Sequence, residues 1–565
     1  MIDIGRKDIV AALILGGLAF ALWIPRLQGP IDLRWDGGAY YTLGTALAQG
    51  KGYRLLNEPG EIQSTLHPPM VPLIVALHQI ALGTSDMFVV GWWLRIFYLI
   101  LFISYIVASY FMFRRFLPVG YSIAAAAATM FQLHTIFMSD LVFPETPYGL
   151  VTVLFILGDG EGGRRATGYL RGALAVTAFA LRTIGVSLLA AWVIESLVKR
   201  RLGQAIRRAI VLIVPVLLWT GYIRLVESGA EYRRPAYDYQ RADYTYINVS
   251  YARNLRLRDP FRPELGNATL KDRMVRFADN LMLMPVKAGE AVSTTAPVWD
   301  LLRMRLNEMT GLNLPRWLAV ELVLLCFSLF AAAGILLQLA RGQYVIPLYI
   351  LLSLGAICLT PWPAQFNRYL SPLTPFLMLS LFIGMRALVE RIGLLLPAGK
   401  RRCSQVPLAI AVILIAVSQA ATVYLIFTKW HQRVSVVNHT GERVDYKLFF
   451  YYDSDRMADD WLDKFRERAT GREVIASSNP QLVYLRTGLR SVLPPLEIDP
   501  LKSQQLLDSV PVRYLILEDG PFYSYVKRVV ADRPEDWRRV HSAGEGVVIN
   551  GRSPVMTGVF ERVVR

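Results

Sequence analysis

A polytopic α-helical membrane protein with a C-terminal α/β domain is the fold class this sequence predicts, and three observations predict it. Long apolar stretches recur between Ile9 and Phe427, in a chain of 565 residues that is 54% apolar and only 19% charged. Short basic runs lie between these stretches: Arg114-Arg115, Arg164-Arg165, Lys199-Arg200-Arg201, Arg207-Arg208 and Lys400-Arg401-Arg402. From Lys429 onward the composition turns polar, with short strand and helix patterns. The net charge of +17 thus reads as loops retained on the cytoplasmic side, which argues against a nucleic-acid partner.

The first span, residues 9–25, follows Arg6-Lys7 and puts the N-terminus inside. Ala19-Phe20-Ala21 resembles a cleavage site, but the apolar run continues through Leu22-Trp23-Ile24, which favours an uncleaved anchor. Outer loop 1 follows at 26–87; within it, residues 70–82 are too short for a span and predict an interfacial or re-entrant helix. Spans are expected at 88–113, 121–138 and 141–157. Residues 172–198 carry Arg182-Thr183-Ile184-Gly185 at their middle. Two short helices meeting outside at Arg182 cost less than one helix with a buried arginine. A span at 209–226 opens into a large polar outer loop at 227–315, and further spans follow at 318–339, 345–359, 370–388 and 408–427. About 11 transmembrane helices result, an odd number, so the C-terminus is expected outside.

The chain therefore divides into a transmembrane domain, 1–428, and an extracytoplasmic α/β domain, 429–565. In the latter, 474–478 and 512–517 read as buried strands and 501–507 and 521–530 as helices. Residues 537–541, 547–550 and 559–564 read as further strands. No glycine-rich phosphate loop or catalytic constellation is visible there. Cys326, Cys358 and Cys403 lack metal-ligand spacing and read as small hydrophobes.

Polar groups at the outward ends of spans are costly enough to need a reason. Asp36 can cap an interfacial helix that carries Tyr40, Leu43 and Leu47, and it can also serve as a catalytic carboxylate. His67 can simply precede a Pro-Pro turn. Asp140 and Glu145, in "MSDLVFPETPYGL", can mark span ends, although Glu145 sits inside the apolar pattern. Arg182 and Arg368 can be headgroup anchors. Together these carboxylates, arginines and His67 suit transfer of a group from a lipid-linked phosphate: cations neutralise the departing phosphate, so one base is enough.

The ordered set "WDGGAYYTLGTALAQGKGY", "HPPMVPLIVAL", "FPETPYGLVTVLFIL", "FALRTIGVSLL" and "NRYLSPLTPFLML" resembles the GT-C class of polyprenyl-phosphate-sugar-dependent glycosyltransferases. The branch is that of bacterial protein-mannosyltransferase-like and lipid A aminoarabinose transferase-like enzymes, and the resemblance covers residues 9–427. It implies an inverting hexosyl- or pentosyltransferase acting on an acceptor hydroxyl of a cell-envelope glycan, lipid or protein. Asp36 matches the family's catalytic base, and His67 a Lys or His position near it. Glu145 matches the acid of the motif after the fourth span, Arg182 the arginine between two short helices, and Arg368-Tyr369 the "RY" pair. Glu145, Arg182 and Arg368-Tyr369 are expected to line the donor phosphate or the cavity; Tyr40, His67 and Asp140 are counted with them. Asp36 is followed by Gly-Gly rather than a second acid, so a metal-independent enzyme without cofactors is expected, a divalent metal being the alternative.

Implied partners are a polyprenyl-phosphate-linked sugar, an extracytoplasmic acceptor and the bilayer of a plasma or inner membrane. Two rival readings are a polyprenyl-linked-sugar flippase or transporter and a non-catalytic cell-wall-binding protein. No internal repeat supports the first. The tyrosine- and arginine-rich segment "EYRRPAYDYQRADYTYINVSYARN" can stack on a sugar, act as a lid, or be a polar loop packed on the outer domain. The triplets at Asn248, Asn267 and Asn438 arise often by chance.

Overall fold

The computed structural model describes residues 5–158, 165–395, 397, 404–438, 440–465, 471, 473–518, 526–542 and 557–563. Arg164, the 400–402 run, Cys403, the middle residue of the Asn438 triplet, the start of the 521–530 helix and the 547–550 strand lie outside them. Among the described residues, six helices are long and apolar enough to cross a membrane: Arg6–Arg26, Met87–Arg114, Leu202–Ser228, Trp317–Ala340, Pro363–Leu395 and Val406–Trp430. Shorter apolar helices stand beside them, including Met70–Leu82, Glu145–Leu157 and Val345–Cys358. The exposed side of Leu202–Ser228 carries Ile206, Ile210, Ile213, Leu217, Leu218 and Leu225, an apolar stripe suited to lipid.

Breaks between helices matter more to the site than the helices themselves. The expected 121–138 span is two helices, Val119–Met130 and Leu133–Ser139, because Gln132 restarts the chain by accepting the Thr135 N–H at 2.9 Å. Arg182 does sit between two helices, Arg165–Leu181 and Val186–Val198, in extended backbone followed by the turn Thr183–Gly185. That turn needs glycine: a Cβ on Gly185 would lie 2.6 Å from the Phe179 nitrogen.

The 227–315 segment departs from the polar loop expected. Its second half is a 23-residue helix, Leu270–Val292, followed by Ala296–Thr310. Charges crowd its first turns while Met284, Ala288, Gly289, Ala291 and Val292 are buried at its end, so averaged hydropathy hides it. A Cβ on Gly289 would sit 2.2 Å from the Leu324 carbonyl oxygen, which marks how closely this helix packs on Leu322–Ala340.

The basic ends gather away from Glu145. Glu145 opens the Glu145–Leu157 helix, and Arg115 donates to the Ile156 carbonyl at its far end at 2.7 Å. Arg341 and Arg386 line a cavity there with Phe116, Leu117 and Glu390.

Beyond Trp430 the chain forms a hairpin, β1 (His431–Val437) against β2 (Arg443–Phe449). A five-stranded sheet follows: β3 (Val474–Ala476), β4 (Ser491–Val492), β5 (Val512–Leu517), β6 (Trp537–His541) and β7 (Gly558–Arg562), in the order β4-β3-β5-β7-β6. β3 runs parallel to β4 and β5, and β7 antiparallel to β5 and β6. Ile475, Leu515 and Ile516 are wholly buried, as their continuous apolar runs require. The sheet rests on the residue 26–87 segment: Ser491 N–H donates to the Asn57 carbonyl, and the Asn57 amide to the Ser491 carbonyl, at 2.8 and 2.9 Å.

Candidate functional site

Four chain breaks deliver the predicted residues to one place. Asp36 is the first residue of the helix Asp36–Ala48, not its cap; Trp35 holds the cap position and the Asp36 carboxylate is turned to Arg368. Glu145 follows Pro144 at the start of its helix, Arg182 lies in the interruption between its two helices, and Arg368 and Tyr369 belong to the short helix Phe366–Leu370. Arg368 bridges two acids: its Nη2 is 2.8 Å from Asp36 Oδ2 and its Nε is 2.6 Å from Glu145 Oε1. Arg182 Nη1 reaches the same Glu145 oxygen at 3.1 Å. One buried carboxylate therefore anchors two guanidinium groups side by side. Their planes are backed by rings, Arg368 over Phe143 at 4.2 Å and Arg182 over Tyr369 at 5.3 Å.

The cluster is open at one end. Glu145 is sealed, at 1% side-chain exposure, but Asp36 keeps 28%, Arg368 18% and Arg182 14%. Burial pushes the Asp36 carboxyl upward, yet Arg368 and Arg182, joined by the His67 imidazole once acid protonates it, outweigh it and hold the group below the ordinary carboxylate range. Burial pushes the His67 imidazole down, and Arg368 opposes the upward pull of Asp36, so His67 is neutral at neutral pH. The His67 ring meets the Tyr40 ring edge-on at 4.8 Å, and Tyr53 OH donates to the His67 carbonyl at 2.9 Å.

The sequence missed two tyrosines that close on this group. Tyr246 lies in electrostatic reach of Asp36 and Arg368, and Tyr251 in reach of Tyr369 and Arg182. Both come from the tyrosine-rich segment, whose composition was the available signal. A polar latch ties that segment to the residue 26–87 loop: Tyr237 OH donates to Glu58 Oε2 at 2.6 Å, and Arg241 to the Gln63 carbonyl at 2.7 Å.

Asp140 is the residue that geometry removes from the cluster. Its carboxylate faces Arg26 and Arg95, each at 3.5 Å, and His431 Nε2 at 3.0 Å. Helix Leu133–Ser139 ends just before it, and the turn to Glu145 sends the two acids to different partners. Among the described residues, no group of three or more His, Cys, Asp or Glu side chains is arranged to hold a metal ion.

No protein-family model matches this chain, and no curated protein does. Among solved structures it is similar to the oligosaccharyltransferase of Archaeoglobus fulgidus in the apo form, with a TM-score of 0.51 at 11% identity, over 90% of this chain and 69% of that one. The same protein in complex with zinc and sulfate gives 0.50 at 12% identity, over 90% and 67%. ArnT from Cupriavidus metallidurans bound to undecaprenyl phosphate gives 0.47 at 10% identity, over 94% and 89%. At these identities the likeness is one of fold: the chain is a membrane protein with the GT-C glycosyltransferase fold.

Proposed function

We propose that this chain is an inverting glycosyltransferase that moves a sugar from a polyprenyl-phosphate donor to an acceptor hydroxyl at the extracytoplasmic face of the membrane. The observation that carries the reading is the Arg368 fork, which holds Asp36 at the open end of the cluster while Glu145 fixes both guanidinium groups behind it. A phosphate entering beside Arg182 and Arg368 competes for the Arg368 Nη2 donor. Asp36 is then released from its strongest cationic partner and gains basicity, so base activation follows donor binding.

The step balances simply. Asp36 takes the proton of the acceptor hydroxyl, and the acceptor oxygen forms a bond to the anomeric carbon. The bond from that carbon to the phosphate oxygen breaks, and polyprenyl phosphate leaves as an anion stabilised by Arg182 and Arg368. A single displacement inverts the anomeric centre. In this reading the two guanidinium groups carry the role a divalent metal would otherwise have, and turnover is expected to survive chelation.

The site end of Glu145–Leu157 is taken as extracytoplasmic, because Arg115, Arg341 and Arg386 lie at the other end. This makes the protein multi-pass in a plasma or inner membrane, with its N-terminus cytoplasmic and the sheet domain outside. In this reading Tyr246 and Tyr251, within electrostatic reach of the cluster, stack on the sugar or acceptor.

The test uses the purified protein in nanodiscs with a panel of radiolabelled polyprenyl-phosphate sugars, following release of free polyprenyl phosphate. Release that requires acceptor and falls about 10²- to 10⁴-fold in Asp36→Asn is expected. Binding of a lipid-linked sugar without release in both forms turns the reading to a carrier or flippase.

A further inference from the structure

Trp35, the residue before Asp36, has φ 55° and ψ −129°. These are the angles of the first central position of a type II′ turn, and the Gly37 N–H closes that turn on the Arg34 carbonyl at 3.1 Å. Glycine normally occupies this position, because a Cβ there crowds the backbone. A tryptophan in it is strained, and such strain persists only where surrounding contacts over-determine it.

Burial of the indole does not supply the restraint, since Trp35 is 41% exposed. Its ring meets only the Arg34 guanidinium at 4.5 Å and the edge of Phe137 at 6.1 Å among the ring contacts described. The backbone is held from elsewhere: the Trp35 N–H donates to Asn479 Oδ1 at 3.0 Å, across 444 residues of chain.

Asn479 stands just beyond β3, at the cap position of the helix Pro480–Thr487. An asparagine there ordinarily accepts an N–H from the first turn of its own helix. Here that cap bond is absent. Oδ1 takes the Trp35 amide instead, while Nδ2 donates to Ser478 Oγ at 3.1 Å. The same helix presses on the first turn of Asp36–Ala48, where a Cβ on Gly38 would lie 2.9 Å from the Gln481 Cβ.

We propose that Asn479 is a positioning residue for Asp36. By accepting the Trp35 N–H it fixes the turn that aims the Asp36 carboxylate at Arg368, so the sheet domain completes the transferase site. The inference rests on the reading of Asp36 as the base.

The experiment uses the full chain in nanodiscs, comparing parent, Asn479→Leu, Asn479→Asp, Trp35→Gly and the Trp35→Gly/Asn479→Leu pair. Two readouts are taken: deuterium exchange in the peptide spanning 33–38, and kcat and donor KM. In Asn479→Leu the Trp35 amide exchanges faster and kcat falls about 10- to 100-fold, with donor KM nearly unchanged, as for a displaced catalytic group. Asn479→Asp keeps the acceptor oxygen and restores both. Glycine at position 35 needs no restraint, so Asn479→Leu costs less turnover in that background; a purely structural role for Asn479 gives no such rescue. Unchanged exchange in Asn479→Leu overturns the proposal, and so does faster exchange with unchanged kcat. Asp36→Asn run alongside separates the two failures: full turnover there defeats the base reading, and exchange alone then decides whether Asn479 holds the turn.

Discussion

The arginine–carboxylate cluster around Asp140 and the one around Asp36 and Glu145 differ in access to water. In one, Asp140 is enclosed by Arg26, Arg95 and His431, with every side chain at 1% exposure or less. In the other, Asp36, Arg368 and Arg182 keep between 14% and 28%. The sealed cluster joins the end of the first span, the Met87–Arg114 helix and β1, three parts far apart in sequence. Arg26 also donates to the Ile136 carbonyl, and Arg95 to the Arg26 carbonyl and to Lys447 of β2. His431 stacks on Phe449 at 4.4 Å. Such a cluster rivets the sheet domain to the helices. The open cluster has the same chemistry with a face left free, which is what a reaction needs.

The sharpest way to break the comparison is at Asp140. Asp140→Asn leaves two fully buried guanidinium groups without their counter-charge, and removal of one partner from a buried pair costs about 3–5 kcal/mol. A large drop in unfolding temperature, or failure to accumulate in the membrane, is expected. Parent-like unfolding would show the cluster to be dispensable and remove the distinction.

Arg368→Lys comes next. One guanidinium now serves Asp36 and Glu145 through different nitrogens, and a lysine offers a single nitrogen that cannot hold that fork. Turnover should fall about 10²-fold, the scale of losing one preorganised donor. Because lysine keeps the positive charge and Arg182 still pairs with Glu145, unfolding should shift by no more than about 1 kcal/mol. A stability loss greater than the activity loss would make this cluster a rivet too.

The pH profile is a milder probe. Asp36 must be ionised to act as base, and its carboxyl is depressed, so activity is present above the folded-state value and lost as pH falls through it. In the free enzyme, which kcat/KM reports, the acid limb lies below the ordinary aspartate value, so kcat/KM is expected to stay flat from neutrality down to about pH 4. The limb of kcat lies higher, because the bound donor takes Arg368 from Asp36. His67 is already neutral at neutral pH, so no limb near about 6.5 should appear, and His67→Gln should add or remove none there, moving only the acid limb upward as Asp36 loses a neighbour that is cationic in acid. A limb near neutrality that vanishes in His67→Gln would assign the base to His67 instead.

Much of this arrangement was legible in the sequence. Span ends read from hydropathy put Asp36, His67, Glu145, Arg182 and Arg368 at one membrane face, and five weak motifs in order pointed to a common site. Asp140 misled because linear distance says little about facing: five residues from Glu145, it finds partners at positions 26, 95 and 431. The Leu270–Val292 helix was hidden by its mixed polarity, and the β1–β2 hairpin by strands whose buried and exposed positions do not alternate strictly. Asn479 left a trace, an Asn-Pro pair at the end of a buried strand, which marks a helix start but not that its side chain reaches Trp35.

A third pair completes the series at its weak end. On the Ala296–Thr310 helix, Arg305 Nη1 lies 2.9 Å from Glu308, with 70% and 63% of the two side chains exposed. Its geometry is as good as that of the pairs above, so distance alone would rank it their equal. Water screens it and two long side chains must be ordered to make it, so Arg305→Ala should change stability by less than about 0.5 kcal/mol. The contrast with Asp140→Asn, in the same assay, isolates solvent access as the variable. An effect at Arg305 as large as at Asp140 would mean that this helix face is covered in the membrane, and that exposure read from the isolated chain misjudges which of its ion pairs are sealed.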